Sequence, residues 1–157
     1  MRIITLQAPV DGRQSEMALM VARGVRRMLR AHGFSSVTEL GLLSGRRADI
    51  VALHPDGTVH IVEIKSSIAD FRADQKWRDY RAHCDRLFFA IPETVPPEIM
   101  PQDAGLIVAD AYGAHVMREA AEHRMLPATR RAVLLRFALV AADRMHGLSD
   151  PGVPPAT

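Results

Sequence analysis

The sequence is poor in several things that would have assigned it at once. It has one cysteine, Cys84, which rules out a disulfide framework or a cysteine-based zinc site and points to a reducing compartment. No apolar run approaches a membrane span. The opening stretch "MRIITLQAPVDG" offers only Met1, Ile3, Ile4 and Leu6 before polar Gln7, too few for a signal peptide, so a soluble cytoplasmic protein is expected. There is no glycine-rich phosphate loop, which argues against an NTPase. The seven histidines are scattered, with no HxxxH or HExxH pair to hold zinc. Lysine is scarce too: of 20 Lys+Arg only Lys65 and Lys76 are lysine.

What remains is an ordinary globular composition, 48% hydrophobic and 24% charged over 157 residues, long enough for one domain with a substantial core. We read residues 1–147 as that domain and 148–157, "LSDPGVPPAT", as a flexible tail. A net charge of +2 and a pI near 9.1 permit a nucleic-acid partner without demanding one. Arginines gather at Arg23-Arg26-Arg27-Arg30, at Arg46-Arg47, at Arg72-Lys76-Arg78-Arg81 and at Arg130-Arg131. Solvated helix faces explain such clusters as readily as phosphate contacts do.

Asp11 and Gln14 resemble a capping box, and Met17, Met20, Val21, Val25, Met28 and Leu29 recur at helical spacing as far as Gly33, which predicts a helix over 12–32. "SVTELGLL" (36–43), "RADIVAL" (47–53) and "TVHIVEI" (58–64) read as strands. A helix over 71–84 carries Ala73, Trp77, Tyr80 and Cys84 on one face, and these pack into the core. "RLFFAI" (86–91) is a strand buried on both faces. After a proline-rich connection, "GLIVAD" and "AHVMRE" flank "AYG" as a hairpin, and 129–147 forms a long helix. The expected fold is α/β: an α-β-β-β-α-β core with a mixed sheet flanked by helices, plus a C-terminal hairpin and helix.

In "LHPDGTV", Pro55 and Asp56 suit the centre of a type I turn and Gly57 the left-handed residue after it. His54 then pairs with Thr58, and stepping outward along both strands sets Asp49 directly across from Glu63. Lys65 shares a face with Glu63, because side chains alternate along a strand. A two-residue loop would instead turn Asp49 to the other face.

Two opposed carboxylates in apolar strands need something to neutralise them. Lys65 bridging both in a structural ion pair would serve, and so would a wet edge strand or a hard divalent cation. Lysine at this one place suits a compact ammonium beside a scissile phosphate, where a purely structural partner could have been arginine.

Asp49 followed by Glu63-Ile64-Lys65 on consecutive strands resembles the PD-(D/E)xK nuclease superfamily over residues 12–91. "RRADIVALHPDGTVHIVEIKSSIADFRADQKWRDYRAHCDRLFFAIP" is similar to the MmcB-like bacterial DNA repair proteins. The resemblance implies a Mg²⁺- or Mn²⁺-dependent deoxyribonuclease, an endonuclease acting in DNA repair, with Asp49, Glu63 and Lys65 as catalytic residues. Asp49, Glu63 and the main-chain carbonyl of Ile64 would hold the metal, and Glu16 or Glu39 would supply a third acidic ligand. Glu16 equally suits the helix dipole near a helix start. Lys65 would orient or activate the attacking water. Lys76, Tyr80, Arg46, Arg47 and Ser67 would contact DNA. Ala48 stands where the superfamily has its name-giving proline. Lys76 takes the place of Gln in the related Gln-x-x-x-Tyr helix pattern, since Gln75 is five residues before Tyr80. Expected partners are DNA, a second copy of the chain, or other repair proteins, with the protein at the nucleoid when on DNA. Two alternatives stand beside this: a nuclease-fold DNA-binding or scaffolding subunit without activity, and an unrelated binding domain whose Asp49-Glu63-Lys65 cluster is a structural ion pair.

Overall fold

A computed structural model describes residues 15–154. The Asp11–Gln14 capping box lies outside them. Within them, helix α1 spans Glu16–Ala31, and Ser15 caps it by accepting the Ala18 N–H at 3.1 Å. Six strands follow the chain order across one sheet: β1 (Ser35–Gly41), β2 (Arg47–Leu53), β3 (Val59–Ile64), β4 (Arg86–Ile91), β5 (Gly105–Ala109) and β6 (Ala114–Arg118). β1, β2 and β3 run antiparallel, β3–β4 and β4–β5 are parallel, and β5–β6 is antiparallel. This is the expected mixed sheet, closed by the expected hairpin.

A parallel pair needs a crossover, since no short turn can bring the chain back to the same end. Between β3 and β4 the crossover is α2 (Ile68–Ala73) followed by a 3₁₀ helix, Trp77–His83. The single helix expected over 71–84 does not form. Asp74 adopts an extended conformation (φ −96°, ψ 98°), and its carboxylate accepts the Lys76 N–H at 3.1 Å. An aspartate side chain that bonds nearby main chain in this way competes with helical hydrogen bonding and stops the helix. Trp77, Tyr80 and Cys84 are nevertheless buried, as expected, because a 3₁₀ turn also returns i and i+3 to one side, whereas Ala73, before the break, is exposed.

Helices cover both faces. α1 lays Val21, Val25, Met28 and Leu29 on Ile50, Val62, Phe88 and Ile107. Its Gly24 sits so close to the β5–β6 turn that a Cβ would meet the Asp110 carbonyl oxygen at 1.9 Å. The opposite face packs Trp77, Tyr80, Val133 and Phe137 against Val37, Val51, Ile61 and Phe89. Val133 and Phe137 come from α3, Pro127–Ser149, which runs two residues into the segment expected to be a tail. Among the described residues no helix is long and apolar enough to cross a membrane.

Candidate active site

The β2–β3 turn decides what faces what. The His54 N–H donates to the Thr58 carbonyl at 3.0 Å and the Gly57 N–H to the His54 carbonyl at 2.9 Å. Gly57 has φ +91°, a conformation open to glycine and costly for residues with a Cβ. The loop is therefore the three-residue form, and the ladder runs outward through Leu53↔Val59 to Ile50↔Val62. One step further in that register stand Asp49 and Glu63.

There the ladder gives way to side chains. The Asp49 N–H donates to Glu63 Oε1 at 2.9 Å, and the Ile64 N–H donates to Asp49 Oδ2 at 2.8 Å. Each carboxyl thus spends one oxygen on the opposite strand's main chain and keeps the other. Glu63 is 3% exposed. Burial, and then the negative charge of Asp49, push its carboxyl well above the usual carboxylate range. Burial raises Asp49 as well, against the opposing pull of the Ile64 N–H, and the charge of Asp70 adds to the rise.

Lys65 lies on the same face, 6% exposed, and its field favours the charged form of both carboxyls. It does not bridge them. Its Nζ donates to Asp74 Oδ2 at 2.8 Å. Beyond it, Ser67 caps α2 by accepting the Asp70 N–H at 3.0 Å, and Asp70 Oδ2 accepts the Ser66 N–H at 3.0 Å. Ser66 also reaches the α1 cap through a 3.3 Å contact with the Ser15 hydroxyl. The start of α1 therefore sits at the same end of the sheet.

The family profile of the DNA repair protein MmcB-like proteins matches residues 6–152. This chain belongs to that family. The match spans the whole site, from the cap of α1 to α3. A solved structure described as the "SPO1766 protein of unknown function from Silicibacter pomeroyi" is 44% identical to this MmcB-like chain, covers 90% of it and 97% of its own length, and superposes with a TM-score of 0.86. No curated protein matches.

The remaining expected residues are spread more widely around this MmcB-like site. Glu16 is the first residue of α1 and exposed, one position past the cap that touches Ser66. Glu39, with a left-handed φ of 51°, is largely buried and lies 3.8 Å from the Arg47 guanidinium. Arg46 is paired with Asp79 at 3.0 Å. Lys76 is exposed, at the start of the 3₁₀ helix. Tyr80 is 6% exposed and donates its hydroxyl to the Arg47 carbonyl at 3.1 Å, so it walls the site and has no ring face to offer a base. Burial, and then the charges of Glu63, Asp49 and Asp74, push its phenol up. Cys84 is a buried thiol raised to about 12 by burial.

Asp70 and Asp74 were not foreseen. The signal for Asp70 was present in Ser67-x-x-Asp70, a capping pattern that starts the helix three residues before the expected position. Among the described residues no group of three or more His, Cys, Asp or Glu side chains is placed to hold a metal. The site offers two carboxyls.

Proposed function

We propose that the chain is a metal-dependent DNA nuclease of the PD-(D/E)xK kind, hydrolysing phosphodiester bonds in DNA repair. One observation carries this reading. Two carboxyls from opposed strands meet at the end of β3, each with one oxygen that no hydrogen bond among the described residues takes up, and the buried Lys65 ammonium shares their face. Burial disfavours the charged form of both carboxyls, and a hard cation is what offsets charge at such oxygens. Two carboxylates suit Mg²⁺ or Mn²⁺, which keep several waters and take substrate phosphate as a further ligand.

Asp49 and Glu63 would hold the ion. The Ile64 carbonyl would join them, since a strand residue's N–H and C=O point to the same side and the Ile64 N–H points to Asp49. When bound, the ion supplies a lowered water pKa and a polarised phosphoryl oxygen. The chain's own part is placement and charge. Glu63 and Asp49 fix where the reacting phosphate sits, and the Lys65 ammonium offsets negative charge on its oxygens as it reacts. The exposed Arg23, Arg27 and Arg30 of α1, with Lys76 and Ser67, are the candidate backbone contacts, so binding should weaken steeply with salt.

A second reading, a nuclease-fold subunit that binds DNA without cutting it, is favoured by the lack of a third ligand side chain in the described cluster. Flapped, nicked and single-stranded DNA incubated with the protein and Mn²⁺ separates the two. Cleavage that stops with EDTA and with Lys65→Ala supports the nuclease. Binding with no metal-dependent cleavage of any substrate overturns it in favour of the subunit.

A further inference from the structure

We propose that Asp74 is the positioning residue for Lys65, and that the helix breaks at 74–76 in order to aim the ammonium. The inference rests on the nuclease reading for its catalytic consequence, though not for its geometry. A lysine stem has four rotatable bonds, so an ammonium at the end of β3 has no fixed address of its own. Asp74 gives it one. Asp74 Oδ2 accepts from Lys65 Nζ at 2.8 Å, and the two side chains are 19% and 7% exposed.

Asp74 is itself held at its side chain and at its main chain. Its Oδ1 accepts the Lys76 N–H at 3.1 Å, and the Asp74 N–H donates to the Phe71 carbonyl at 3.1 Å. The second bond closes the last turn of α2, and the first goes with the extended conformation of Asp74 just beyond it. The sequence "FRADQKWRDY" has a helical pattern, and local preference gives way here, where a functional group needs orienting. An ammonium has three hydrogens, and this contact uses one. No hydrogen bond to a described residue takes the other two, and Lys65 shares its face of the sheet with Glu63 and, in the three-residue register, with Asp49.

The test exploits the two lysines. In protein labelled with ¹⁵N-lysine, Lys76→Arg assigns the side-chain signals. The ordered, exchange-protected Lys65 ammonium resonance should be present in wild type. It should be lost in Asp74→Asn, which can still accept the Lys76 N–H and keep the break, and in Asp74→Ala. In DNA cleavage, Asp74→Asn should lower kcat by about 10–10²-fold with KM unchanged, and Asp74→Glu should restore part of it. A Lys65 signal that persists in both neutral variants overturns the proposal, as does full kcat in a folded Asp74→Asn. If wild type cuts no DNA, the nuclease reading fails while the resonance still decides whether Asp74 holds the ammonium.

Discussion

β3 has a buried carboxyl at each end, and the two are treated in opposite ways. At its start lies Asp85, 3% exposed. Asp85 accepts the Val59 N–H at 2.8 Å and the Met125 N–H at 3.3 Å, and both Arg130 terminal nitrogens at 2.9 and 2.6 Å. Burial alone would raise this carboxyl, but the Arg130 guanidinium and the two main-chain donors outweigh it and hold it below the usual range. At its end lies Glu63, equally buried, with one main-chain donor and a second carboxyl for company. Lys65, the cation whose field acts on it, makes its ion pair with Asp74 instead. The carboxyl that holds the fold together is given its counter-charge. The one proposed to take a metal ion is left short of it.

The comparison breaks most visibly at the structural end. Arg130 ties α3 to Asp85 and to the hairpin loop through the Gly57 carbonyl at 2.8 Å. Asp85→Asn or Arg130→Ala should cost about 3 kcal/mol, because a buried pair that loses one member leaves the other uncompensated. For a chain of this size that lowers Tm by about 6–12 °C. Cleavage per folded molecule should be unchanged. Thermal unfolding and kcat measured on the same preparations check both halves.

At the other end the sign should reverse. Glu63→Gln removes the cost of burying or protonating this carboxyl on folding, so it should stabilise the fold at neutral pH by about 1–2 kcal/mol while abolishing cleavage. Millimolar Mn²⁺ should raise the Tm of wild type, by about 1.4 kcal/mol of stabilisation at ten times its Kd. It should leave Glu63→Gln almost unmoved. Destabilisation by Glu63→Gln together with no metal shift in wild type would make Glu63 a second structural carboxyl and erase the contrast.

How much of this was legible in the sequence depended on the range of the interaction. The meeting of Asp49 and Glu63 followed from local chemistry: Pro55-Asp56-Gly57 sets the loop length, loop length sets the register, and register sets the face. The succession of strands along the chain and the burial of Trp77, Tyr80 and Cys84 followed from periodicity in the same way. The pairing of Lys65 with Asp74 did not, because Asp74 lies inside a stretch whose pattern is helical, and the break that turns it toward Lys65 is not visible in that pattern. Arg130 was hidden for a similar reason. It sits beside exposed Arg131 in what reads as one solvated cluster, and its partner lies 45 residues away.

The smallest effect is also the most diagnostic, since the two ends should bend the pH profile of stability in opposite directions. Asp85 has a folded pKa below its unfolded one. The unfolded chain therefore binds more protons in that window, and the stability Asp85 contributes is lost as pH falls through the folded value. Glu63 has a folded pKa well above its unfolded one. Here the folded chain binds more protons, so stability is lost as pH rises from the usual carboxylate range through the raised folded value. Each slope is at most about 1.4 kcal/mol per pH unit for one proton. Urea unfolding free energies from pH 3 to 9 should show that Asp85→Asn flattens the acid limb alone and Glu63→Gln flattens the neutral limb alone. Saturating Mn²⁺ should flatten the neutral limb of wild type as well, because an ion held by Asp49 and Glu63 favours the state from which the proton has gone. If both substitutions flattened the same limb, the two carboxyls would share one role, and the case for a ligand site at the end of β3 would go with the contrast.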